Sequence, residues 1–205
     1  MKKWILTPDK YLKPEEATIL RGYLEDKSLA AIAKKKKKPV RDWAAIDIAL
    51  SAGLRPSEIC HLTLKDIFVG KGESALFVKN GKGKKDRLVL IGDKLKKHLK
   101  DYLSWKKQAG EAVTTDSYLF ASERGPNMTL SAIQKRFKHW MRAAGLPSRY
   151  SIRSARHTYG TMLYRATKDL RMVQKQLGHS SIQVTEVYAD VLKEDVEKAV
   201  NALYS

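Results

Sequence analysis

One cysteine, Cys60, stands in 205 residues, so the chain can close no intrachain disulfide and build no cysteine-based zinc cluster. No apolar run approaches the roughly 20 residues that crossing a bilayer requires. The opening stretch, Met1 to Lys10, is basic, but its apolar part ends too soon for a secretion signal. These absences make a reduced cytoplasmic setting the expectation, with no membrane as partner. Acidic residues are scarce: 22 Asp and Glu face 40 Lys and Arg, a formal net charge of +18. The carboxylates form no cluster of the kind a two-metal nuclease uses, so neither a metal nor another cofactor is expected. Internal repeats and a clear linker are missing too, which predicts a single domain over residues 1–205.

What is present is the material of a folded, basic protein. Hydrophobic residues make up 43% and charged residues 30%, enough to bury a core. A charge excess of this size costs self-repulsion unless a polyanion meets it, and nucleic acid is the commonest polyanion. A merely lysine-rich protein, or one that binds acidic membranes, is the alternative reading of the charge, and nucleic acid is the favoured one. Pro14 followed by Glu15 and Glu16 opens a helix, and Ile19, Leu20, Tyr23 and Leu24 share one face of it over about 12 residues. The run Lys34 to Lys38 reads as a solvated loop or frayed helix end. Val40 to Ala52 reads as a buried helix stopped by Gly53, and Pro56 starts a short one. Ile67–Val69, Ala75–Val78 and Arg87–Ile91 predict a three-stranded antiparallel sheet with glycine turns. Beyond Gly92 the period is helical, over about 93–108, 130–144, 154–167, 169–177, 182–190 and 193–203. The expected fold is mainly α with a small three-stranded antiparallel sheet.

Four separated segments carry the chemistry. They are Ala-Gly-Leu-Arg-Pro-Ser-Glu-Ile at 52–59, Gly-Lys-Gly-Lys-Lys-Asp-Arg at 81–87, Arg-Ser-Ala-Arg-His-Thr-Tyr-Gly at 153–160, and Leu-Gly-His-Ser-Ser at 177–181 followed by Tyr188. In order and spacing they resemble the boxes of the tyrosine recombinase (phage integrase) family, and the resemblance runs from about Leu12 to the C-terminus. Taken singly, each has an ordinary reading. A lone arginine is usually a surface ion pair, a tyrosine on an apolar helix face is usually a core aromatic, and a histidine after a glycine is usually a cap. Their company overturns those readings.

The resemblance implies cleavage and rejoining of double-stranded DNA through a 3′-phosphotyrosyl bond, with a free 5′-hydroxyl and no metal, ATP or small-molecule substrate. Arg55 and Arg156 would hold the phosphate, because a planar guanidinium matches its non-bridging oxygens. Tyr188 would be the nucleophile, His179 a hydrogen-bond donor and Lys82 the acid for the leaving oxygen. Glu58 would hold Arg55, while Lys84, Lys85 and Arg87 would contact the DNA backbone. The chain departs from the family at Arg153, where a histidine is usual. An arginine takes no proton at neutral pH, so the base role would pass to another group or to water, or be dispensable, and Arg153 could instead contact the phosphate as a third cation. His157 matches a position that is usually structural. The stretch before Val40 is too short for the family's N-terminal DNA-clamping domain, so the catalytic domain alone is expected. A tetramer on two DNA sites, a monomer without DNA and a nucleoid location follow from the same resemblance, with the last helix as a docking element. A supercoil-relaxing relative of the same chemistry, and a non-catalytic DNA binder, remain open as alternatives.

Overall fold

Pro14 opens the first long helix, α1 (Pro14–Ala33), where its missing N–H costs nothing, and the Glu16 carboxylate accepts the Lys13 N–H at 2.8 Å. In this computed structural model, residues 6–79, 86–122, 125–190, 200, 201 and 203 are described. Helix α1 runs 20 residues, well past the expected 12, because Glu25 to Ala33 is built largely of strong helix formers. It buries Ala17, Leu20, Leu24, Ser28 and Ala31, whereas Ile19, expected on that face, is 52% exposed. The lysine run is only partly a loop. Lys35 takes a left-handed turn (φ 54), and α2 (Lys37–Ala52) already begins at Lys37. Pro39 fits in its first turn because N–H groups there lack helical acceptors.

Helix α2 is the axis of the molecule. Every residue from Val40 to Leu50 is buried, as expected of a helix surrounded by others. Its buried carboxylates are each satisfied. Asp42 accepts from Arg136 and from the Trp140 indole at 2.9 Å, and Asp47 accepts from Ser51, from His98 Nδ1 and from Arg21. Gly53 ends α2 in the left-handed region (φ 63), and a Cβ there would run into Tyr159 and Leu177. Two later segments therefore close directly on the end of α2.

Helix α3 (Pro56–His61) and a single 3-10 turn lead into strands β1 (Ile67–Phe68), β2 (Ala75–Val78) and β3 (Arg87–Leu90), antiparallel in the order β1-β2-β3. The register Leu76↔Val89 puts Leu76, Val78 and Val89 into the core and leaves Leu88 and Leu90 exposed. The turn carrying Lys82, Lys84 and Lys85 lies outside the described residues. Helices α4 (Asp93–Gln108), α5 (Leu130–Ala143), α6 (Ile152–Thr167), α7 (Leu170–Leu177) and α8 (Gln183–Asp190) follow. Most of the last expected helix, 193–203, also falls outside the described residues.

The apolar interior divides in two. A large core joins α1 to α6 with the sheet, and a small cluster joins Leu6 and Tyr11 to Val173, Leu177, Val187 and Tyr188. No helix among the described residues is long and apolar enough to cross a membrane.

Candidate active site

The site is assembled at the end of α2, where three turns meet. Arg55 is the N-cap of α3, and Glu58, in the first turn, reaches back to it. The Glu58 carboxylate accepts the Arg55 backbone N–H at 2.7 Å and its Nη1 at 2.7 Å, so the expected contact is present. Arg55 Nη2 donates to the Gly178 carbonyl at 2.9 Å, tying α3 to the end of α7. Gly178 sits at φ +65, and a Cβ on it would lie 2.7 Å from Arg87 Nε. Glycine is thus required twice over, by the left-handed turn and by the guanidinium pressed against it.

Arg87 is turned inward. Its Nη1 and Nη2 grip Glu58 bidentately at 2.9 and 3.0 Å, and its Nε donates to the Gln176 carbonyl at 3.3 Å. With its donors directed at Glu58 and α7, and its side chain 10% exposed, it anchors β3 to the site. Burial pushes the Glu58 carboxyl up, but the bonds from Arg87 and Arg55 outweigh it and hold the group below its usual range.

Arg156, one turn into α6, is buried. It donates Nη1 to the Gly53 carbonyl at 2.6 Å and Nη2 to the Leu177 carbonyl at 2.7 Å, and lies 3.9 Å from Glu58. Burial and the neighbouring Arg55 pull it down to about 10, so it stays charged at neutral pH. Arg55 and Arg156 each have five side-chain N–H donors, so the two side-chain bonds each makes to protein leave others for an anion.

Arg55, Arg153, Arg156, His157 and His179 line one open cleft of about 350 Å³. Residues far apart in the chain thus present five basic side chains to a single space. Arg153 is exposed at its edge and makes no hydrogen bond or ion pair with the described residues. His179 leaves the C-terminal turn of α7 with Nδ1 at 3.0 Å from the Thr185 hydroxyl. Burial, Arg156 and Arg55 lower it to about 3, so the ring is neutral.

Tyr188 lies behind the cleft and is 1% exposed. Its ring runs parallel to that of His179, 9° between planes and 6.3 Å between centroids, and it covers Gly160, where a Cβ would be 2.6 Å from Cζ. Burial raises the phenol, Arg156 and Arg55 lower it, and the balance is about 12. Its hydroxyl is 3.2 Å from His157 Nδ1, a contact the sequence did not foretell. On α8, Val184 is 51% exposed at the cleft, while Thr185 is fully buried against His179. Thr185 touches the site with no signal in the sequence, Arg87 and Gly160 stood in the quoted segments without their contacts to Glu58 and Tyr188 being readable there, and only the Arg-His pair at 156–157 marked His157.

A helical domain with a three-stranded sheet, two arginines bridged through one glutamate, and a histidine beside a tyrosine define the catalytic domain of a tyrosine recombinase. Residues 24–195 match the Phage integrase family, and the chain belongs to it. It is 36% identical over 156 residues to the tyrosine recombinase XerD of Proteus mirabilis, covering 76% of this chain and 49% of that protein. To the tyrosine recombinase XerC of the same organism it is 30% identical over 180 residues, covering 88% of this chain and 57% of the relative. The chain spans about half the length of the curated relatives it matches. The crystal structure of XerA recombinase superimposes with a TM-score of 0.78 at 25% identity, over 100% of this chain and 67% of that one. XerH in a post-cleavage complex with its palindromic difH substrate gives 0.77 at 25% identity, over 97% of this chain and 54% of that one.

Proposed function

We propose that the chain is the DNA-cleaving and rejoining part of a site-specific recombinase. The observation that carries this reading is the convergence of Arg55, Arg153, Arg156, His157 and His179 on one cleft, with Tyr188 directly behind it. A phosphodiester in that cleft meets guanidinium donors already fixed by carbonyls and by Glu58, which is the preorganised charge that phosphoryl transfer rewards. Arg55 and Arg156 hold the non-bridging oxygens, and Arg153 adds a third cation at the mouth. His179, neutral and set by Thr185, donates to the phosphate. Tyr188 attacks, leaving a 3′-phosphotyrosyl bond and a free 5′-hydroxyl. That ester keeps the bond energy, so rejoining needs no external source and no metal or cofactor. Lys82 protonates the leaving 5′ oxygen, and Lys84 and Lys85 contact the backbone beside it. The partner is double-stranded DNA at the nucleoid, engaged as a homotetramer across two sites and as a monomer without DNA.

Tyr188→Phe tests the reading. The variant loses the covalent protein–DNA adduct while its affinity for duplex stays within a few-fold, because the basic surface that dominates binding is untouched. An adduct that survives boiling in detergent with Tyr188→Phe overturns the assignment.

A further inference from the structure

Resting on that reading, we infer that His157 is the group that takes the proton from the Tyr188 hydroxyl when the tyrosine attacks. The sequence left the proton without a destination, since Arg153 stands where the family usually has a histidine and cannot accept it. The structure offers one. His157 lines the cleft, and its Nδ1 lies 3.2 Å from Tyr188 Oη with the two rings 43° apart. It therefore touches both the buried phenol and the space where the phosphate binds. His179 does not share this geometry: its Nδ1 is taken up by Thr185, and its ring lies flat alongside the tyrosine.

The charges around His157 fit the role. Arg153 and Arg156 flank it on α6, Lys10 faces it from the turn before α1, His179 lies across the cleft, and Tyr188 approaches from α8. Burial and then these cations hold the ring down at about 4, so at neutral pH it is uncharged, with a lone pair available on Nδ1 when the proton sits on Nε2. A phosphate entering the cleft places negative charge against the same arginines. Their repulsion on an imidazolium is then offset, and His157 becomes more basic when the substrate arrives. In the step itself the Tyr188 O–H bond breaks and its proton passes to His157 Nδ1. The phenolic oxygen bonds to phosphorus, and the P–O5′ bond breaks with its oxygen taking a proton from the acid assigned to Lys82. Rejoining runs the same transfers backward, and His157 returns its proton to the tyrosine.

Single-turnover cleavage of a nicked duplex, in which the cut strand dissociates and traps the adduct, tests this. Wild type is expected to form the Tyr188 adduct with a rate that falls as pH drops and His157 becomes protonated. His157→Asn keeps an acceptor near the Nδ1 position without basicity. It should bind DNA within about threefold of wild type, cleave about 10²-fold more slowly at neutral pH, and lose the plateau that wild type reaches once His157 is deprotonated, its rate rising with hydroxide throughout instead. His157→Ala should recover at least about tenfold with added imidazole. A His157→Asn rate within about threefold of wild type, or a slower rate with the wild-type pH profile and no imidazole rescue of His157→Ala, removes His157 from the proton path. Wild type that forms no adduct at Tyr188 overturns the recombinase reading itself, and the inference with it, by a separate result.

Discussion

The two parts of the site are held in different ways. The arginine half is cross-braced: Arg55, Arg87 and Arg156 share Glu58 and donate to the Gly53, Gln176, Leu177 and Gly178 carbonyls, pinning α3, β3, α6 and α7 to the end of α2, which is buried from Val40 to Leu50. The tyrosine half rests on a small cluster of Leu6, Tyr11, Val173, Leu177 and Val187, with Tyr188 hydrogen-bonded to His157. On the proposed reading the difference has a purpose: positioned charge is most effective when it does not reorganise, whereas a buried phenol that attacks a phosphate must first become accessible to it.

The largest effects are expected where the braced half is broken. Arg55→Ala and Arg156→Ala should each slow single-turnover cleavage by about 10²-fold or more, on the scale of losing a fixed oxyanion donor. Arg156→Ala should also lower the melting temperature, since its guanidinium satisfies two buried carbonyls. Lys38→Ala, on the first turn of α2, should weaken DNA binding and its salt dependence with the cleavage step intact. Equal losses of rate at all three positions would erase the distinction between catalytic and backbone-contacting cations.

Next in size is Glu58→Gln, which leaves three guanidiniums without their shared counter-charge. A stability loss of about 3 kcal/mol is expected, the scale of breaking a buried ion pair, together with slower cleavage. The sign of the pH effect follows from the lowered carboxyl. Glu58 binds protons less readily folded than unfolded, so its contribution is present above the unfolded value of 4.5 and is lost as pH falls through the lower folded one. Wild type should therefore lose more stability than Glu58→Gln as pH falls below 4.5 in denaturant titrations. Parallel curves for the two proteins would assign Glu58 no such linkage.

Much of this architecture was readable from local signals. The Gly53 stop, the Pro56 start and the strand runs located the end of α2, the start of α3 and the sheet to within a residue, because turn and cap chemistry is written in neighbouring positions. The arginines, His179 and Tyr188 were legible as motif members. What was not legible depends on contacts across the chain. Arg87 looked like one more cation of a basic turn, and nothing near it announces Glu58 as its partner. That Thr185 is buried while its neighbour Val184 is exposed depends on the hydroxyl satisfying His179, a partner six residues away. The length of α1 was underestimated because the periodic apolar marks fade while helix propensity persists.

Gly160→Ala sharpens the comparison from the other side. The added methyl meets the Tyr188 ring at 2.6 Å, so the tyrosine has to give way. A loss of about 1–3 kcal/mol is expected, typical of overpacking. With the ring displaced toward water, the Tyr188 phenol should titrate below its value of about 12, as read by carbon NMR of ring-labelled tyrosine. An unchanged titration would mean that α6 shifts instead, and that the tyrosine half is the stiffer one.

The smallest global effect is expected from Leu6→Ala, and it bears most directly on whether the nucleophile cluster opens by itself. Leu6 is 2% exposed and belongs to the Tyr188 cluster, not to the large core. In a uniformly cooperative domain, truncating a buried leucine costs about 2–5 kcal/mol everywhere at once. If the cluster opens locally, the loss falls on it alone. Amide exchange in α7 and α8 should then speed up by about tenfold or more, while α2 exchanges as in wild type and the melting temperature moves by only a degree or two. Cleavage should change little or rise slightly, because the buried phenol is released more readily. Exchange that accelerates equally in α2 and α8 would show that the two halves open together, and that the nucleophile is as firmly fixed as the arginines it serves.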